Sequence, residues 1–128
     1  MNDEKISQMF QYIEVLNMCW EKIKESVYDE NEPEIQSRNF FGDAWNDLIY
    51  GPLEDLNEFR NNYKIYNDFE FIKKFVFDFR EYNERIKFIM SDSGKMEKGF
   101  DLNRPHSAAK NITGIVDICL NKLDNLSR

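Results

Sequence analysis

A chain of 128 residues that is 41% hydrophobic and 15% aromatic suits one domain burying about two-thirds of its unfolded surface, which excludes intrinsic disorder despite 32% charge. Five glycines and three prolines are too few for an all-β chain with a turn at every short strand end. The net charge of −7 is uneven: residues 1–64 hold 14 acids and 6 bases (−8), whereas residues 65–128 hold 10 acids and 11 bases (+1).

Residues 3–28 predict a first helix. Ile6, Met9, Ile13, Leu16, Trp20, Ile23 and Val27 recur at alternating spacings of three and four, and Phe10 with Cys19 widens that seam to suit a bundle. Pro33 opens a second helix over 33–62, in which Ile35, Phe41, Trp45, Leu48 and Ile49 keep a helical period, with Trp45 assigned to the core. Gly51-Pro52 interrupts it, because a proline lacks the N–H and crowds the carbonyl four residues back; a kink is expected there. Leu53, Leu56 and Phe59 then resume the stripe.

A third helix is expected over 68–90. Ile72, Phe75, Val76, Phe79, Ile86, Ile89 and Met90 form its buried stripe, which outweighs a strand reading of the odd-numbered phenylalanines between 69 and 79. Phe77 and Phe88 lie off the stripe, and Lys73, Lys74, Arg80, Arg85 and Lys87 make its polar face mostly basic. Residues 91–106 read as a long loop. A fourth helix over 105–126 turns Ile112, Val116, Cys119, Leu120 and Leu123 inward, and small residues including Gly114 suit close helix contact. The fold class is therefore all-α: a single domain forming an antiparallel, up-down-up-down four-helix bundle.

No run of about 18 apolar residues exists to span a membrane. Residues 1–20 contain Asp3, Glu4 and Glu14 and no secretory apolar run, so a cytoplasmic protein with no membrane partner is expected. Cys19 and Cys119 both fall in apolar helical patterns and read as buried free thiols.

Catalytic signatures are sparse. His106 is the single histidine, which rules out the paired Glu-x-x-His motifs of a di-iron bundle and leaves zinc short of ligands. The glycines never cluster into a phosphate-cradling loop. Asp55-Leu-Asn-Glu58 and Asp78-Phe-Arg-Glu81 do place carboxylate pairs at i and i+3, each on one helix face. That layout resembles the all-α nucleoside triphosphate pyrophosphatases, which use Glu-x-x-Glu and Glu-x-x-Asp on adjacent helices, although the acid types differ. The resemblance implies Mg²⁺ held by Asp55, Glu58, Asp78 and Glu81.

The stronger signal is the stretch 25–58, with ten acids against one base, Arg38. Such a surface repels phosphate backbones, so no direct nucleic-acid partner is expected, and it speeds encounter with basic proteins. Our leading expectation is a non-enzymatic, cofactor-free inhibitor that occludes a basic, nucleic-acid-binding partner. An immunity protein, an antitoxin-like inhibitor or a phage anti-defence protein would each fit. Expected contacts are Asp29, Glu30, Glu32, Glu34, Asp43, Asp47, Glu54, Asp55 and Glu58, with Tyr28, Phe40 and Tyr50 as anchors. The alternatives are the Mg-dependent hydrolase and a structural subunit of a larger complex. The oligomeric state is left open, a homodimer included.

Overall fold

The computed structural model describes residues 3–25, 41–62, 70–90 and 107–127. Among them lie four helices and no strand. Helix α1 spans Asp3–Glu25. A π-helical segment, Trp45–Tyr50, leads directly into α2, Gly51–Asn62. Helices α3, Glu70–Met90, and α4, Ser107–Leu126, complete the bundle. Charge assists the ends of α1: Asp3 and Glu4 sit in its first turn, and Lys22 and Lys24 in its last, as the helix dipole favours.

Side-chain contacts fix the directions. Glu14 meets Arg60 at 2.5 Å while Trp20, later in α1, reaches Leu48, so α2 runs antiparallel to α1. Phe59 packs on Phe71 and Phe75, and the earlier Asp55 feels the later Asp78, so α3 reverses again. Arg80 donates to Asn121 Oδ1 at 2.8 Å and Asn83 to Thr113 O at 3.1 Å, so α4 opposes α3. It closes the bundle against α1, where the Cys119 thiol donates to Tyr12 O at 3.2 Å. The result is the expected up-down-up-down four-helix bundle.

One core serves all four helices. Met9, Ile13, Leu16, Trp20 and Ile23 meet Phe41, Trp45, Leu48, Ile49, Leu56 and Phe59 from the second segment, together with the α3 and α4 stripes. Trp45 is core, at 7% exposure. The two thiols are free and buried. Burial raises both, and Cys119, pushed up to about 12 by burial and then by Cys19, is only partly relieved by Lys122. Such thiols stay protonated and inert in the folded chain.

The second helix departs, at Gly42, from the run expected over 33–62 with its one kink at Gly51-Pro52. Gly42 has φ 56 and sits in a turn closed by Trp45 N–H on Gly42 O at 3.0 Å, a left-handed conformation that glycine adopts without steric cost. The helix resumes only after it. At Gly51-Pro52 the expected kink takes the form of the π segment, whose last bond runs from Gly51 N–H to Asn46 O. Proline cannot donate, so the chain underwinds ahead of it rather than breaking.

Gly51 is also required sterically, because a Cβ there would lie 2.8 Å from the backbone oxygen of Asn46. Gly51→Ala should therefore lower stability by about 1–3 kcal/mol. Gly114, expected at a close helix contact, instead faces open space, so Gly114→Ala should gain up to ~1 kcal/mol from helix propensity. Urea midpoints of the two variants should move in opposite directions. The expected helix extensions at 26–28, 33–40, 68–69 and 105–106, and the 91–106 loop, lie outside the described residues.

Candidate functional site

Alternation of buried and exposed positions along the second segment sets the site. Phe41, Trp45, Leu48, Ile49, Leu56 and Phe59 turn inward, which leaves Asp43, Asp47, Glu54, Asp55 and Glu58 exposed and Tyr50 half exposed at 49%. Asp29, Glu30, Glu32, Glu34, Tyr28 and Phe40 lie outside the described residues. The base on α2, Arg60, is turned away and held by Glu14 of α1. Among the described residues, none of the five exposed carboxylates enters an ion pair.

Helix α3 adds acids to the same side. Burial raises the Tyr82 hydroxyl first, and Asp78, Asp55, Glu81 and Asp47 raise it further. Carboxylates from both helices therefore share one field around this ring. Asp55 shows the same crowding: burial, then Glu58, Glu54 and Asp78, lifts its carboxyl above the ordinary 3.8. A raised carboxyl means that the folded chain binds the proton more tightly than the unfolded chain, so ionised Asp55 opposes folding above its folded value. Asp55→Asn should thus raise the melting temperature slightly at neutral pH, and the difference should vanish below pH 3.8. Thermal melts of both proteins across pH check this.

Between α2 and α3 these acids border a groove of about 250 Å³. Asp55 and Glu58 line it from α2 and Asp78 from α3, with Lys74 the one base among the described residues. Its floor is aromatic: Phe59, Phe71, Phe75 and Phe79. The rings are coupled, with Phe75 stacked on Phe79 at 4.2 Å between centroids and Phe59 tilted against Phe71 at 5.3 Å. Phe79 is in turn braced by the edge of Trp20 at 5.2 Å. The aromatics off the α3 stripe thus divide: Phe71 joins the stripe residue Phe75 in bridging α2 and α3, while Phe77 and Phe88 stay 69% and 52% exposed.

Of the two i, i+3 acid pairs, Asp55, Glu58 and Asp78 meet in the groove and Glu81 lies outside its lining. Among the described residues no group of three or more Asp, Glu, His or Cys side chains is placed to hold a metal ion. The basic face expected for α3 is split. Lys74 faces the groove, Lys73 pairs with Glu70, and Arg80 and Lys87 turn to Asp124 and Asp117 of α4.

That α3/α4 seam holds a polar group that periodicity alone does not flag as functional. Asn83 is fully buried and donates to Thr113 O at 3.1 Å and to Asp117 Oδ1 at 2.9 Å. Its own Oδ1 has no hydrogen-bond partner. The visible signal was an asparagine occupying a stripe position between Phe79 and Ile86. Lys74, expected on a basic face of α3, and Tyr82 on the same helix instead face the acids of α2.

The chain matches no protein-family model, no curated protein and no solved structure. No helix among the described residues is long and apolar enough to cross a membrane.

Proposed function

We propose that this protein is a non-enzymatic inhibitor that docks on a basic protein partner and occludes the surface the partner uses for phosphates. Immunity, antitoxin-like and phage anti-defence proteins share that chemistry. The observation that carries the reading is the set of exposed carboxylates on the second helical segment, Asp43, Asp47, Glu54, Asp55 and Glu58, none in an ion pair among the described residues. Acids not paired internally cost self-repulsion in the free protein and gain a partner's bases on docking. The groove adds an aromatic centre of the kind that anchors interfaces.

The test starts from a partner isolated on the immobilised protein at low salt and then purified. The partner should be basic, and the double variant Asp43→Lys, Asp47→Lys should slow its association by about tenfold or more at low salt while the melting temperature barely moves. A neutral or acidic partner, or an unchanged association rate, would sink the reading. A second reading, the Mg-dependent nucleotide hydrolase, has Asp55, Glu58 and Asp78 lining one groove in its favour and their placement, unsuited to holding a metal ion, against it. Pyrophosphate release from nucleoside triphosphates with Mg²⁺, abolished by Asp55→Ala, would establish it instead.

A further inference from the structure

The geometry points to the α2/α3 groove as the seat of a single arginine side chain from the docking partner, its guanidinium lying on the phenylalanine floor between the carboxylates of Asp55, Glu58 and Asp78. This assignment rests on the docking reading above and narrows it to one anchor.

Three features select a guanidinium. The first is charge: among the described lining residues three carboxylates stand against the one ammonium of Lys74, a net −2. Opposite charge from a ligand relieves that excess, which adds to burial in lifting the Asp55 carboxyl. The second is the floor. A cation over an aromatic face is attracted by the ring quadrupole, and the flat guanidinium stacks on rings as a tetrahedral ammonium does not. Phe71 and Phe75 are only partly buried, so part of each ring reaches the groove surface, while Phe59 and Phe79, at 4% and 2% exposure, hold them from below. The third is size and shape, since about 250 Å³ suits one long side chain better than a folded peptide segment or a nucleotide. The carboxylates come from two helices, so a forked donor can bridge Asp78 on α3 and Asp55 or Glu58 on α2. A bidentate, planar donor uses that arrangement and a point charge uses half of it.

The test uses the whole protein and a capped Gly-Arg-Gly tripeptide, with the uncharged citrulline tripeptide as its isosteric control. NMR of the phenylalanine rings follows both titrations. The arginine peptide should shift the Phe71 and Phe75 ring signals saturably, and citrulline should bind roughly tenfold more weakly or worse, because the cation–π and ion-pair attractions are lost together. Asp78→Asn and Phe71→Leu should each weaken the arginine titration, the first with no change in side-chain shape. Equal binding of the two peptides, or titrations indifferent to both variants, would overturn the assignment. With the purified basic partner, unaltered binding by the Asp78→Asn, Phe71→Leu double variant overturns the groove alone. Indifference to Asp43→Lys, Asp47→Lys overturns the docking reading itself.

Discussion

Replacing Trp20 with alanine should destabilise the bundle by about 3–5 kcal/mol, and replacing it with phenylalanine should still cost about 1–3 kcal/mol. The first figure is the loss of the largest fully buried side chain, which also braces Phe79 edge-on at 5.2 Å. The second isolates one hydrogen bond. Pro52 stands four residues beyond Leu48 and has no N–H, so the Leu48 carbonyl lacks its α-helical donor. The indole of Trp20 supplies one instead, Nε1–H to Leu48 O at 2.8 Å and buried. Phenylalanine fills most of the space and removes that donor.

A cycle with Pro52→Ala tests the mechanism rather than the size of the ring. Restoring a backbone donor at position 52 should shrink the penalty of Trp20→Phe. Urea unfolding followed by far-ultraviolet circular dichroism is the suitable measurement, because the chain has only two tryptophans and one of them is being removed. Equal penalties in the two backgrounds would show that packing alone, not the carbonyl, makes Trp20 necessary.

Asn83→Asp should be of similar size, a loss of about 3–5 kcal/mol at neutral pH, because it buries a charge without a matching partner. Both amide hydrogens now point at acceptors, Thr113 O and Asp117 Oδ1, so a carboxylate there would face a carbonyl and another carboxylate. Lys87, 2.5 Å from Asp117 Oδ2 and also bound to Glu84, is already engaged. The introduced carboxyl should have a folded value raised above its unfolded one, so its penalty is complete above the folded value. It should fade as pH falls toward the unfolded value, where the protonated acid can again donate. Asn83→Leu is the control. It removes the hydrogen bonds without adding charge and should cost far less, with no such recovery in acid. Parallel denaturation curves at several pH values distinguish the two, and an Asn83→Asp variant as stable as wild type would show that the seam is wet.

Much of this fold was readable before any coordinates. The three-four seam of α1 appears as the buried set Met9, Ile13, Leu16, Trp20 and Ile23. The stripes of α3 and α4 likewise coincide with the core, because a helix long enough to repeat its pattern several times leaves little choice of face. What periodicity could not supply were consequences of neighbours. Pro52 announced an irregularity, but its form depends on who donates to Leu48, and that donor is 28 residues away. Gly42 read as one more residue in a helix until its φ of 56 placed a turn there. The groove needed Phe59 of α2 beside Phe71 and Phe75 of α3, and the two acid pairs looked independent until Asp55 and Asp78 shared it. Of the acidic stretch 25–58, the part from Asp43 onward is described as an exposed face; its first acids fall outside the described residues.

The Asn83 seam has a consequence for how the chain avoids wrong answers. The facing stripes of α3 and α4 are apolar nearly throughout, and two greasy helices can slide past one another by a turn with little change in area buried. Sliding α4 by one turn would set the Asn83 amide against Val116 and Leu120 in place of Thr113 and Asp117. A main-chain carbonyl could again accept as that of Thr113 does, but no side chain would replace Asp117 Oδ1. One donor would be left unpaired in an apolar setting, at a cost of about 1–3 kcal/mol. The same slip would part Lys87 from Asp117 and Arg80 from Asn121. One asparagine thus acts as a register pin, opening an energy gap between the native pairing and its closest slipped competitors.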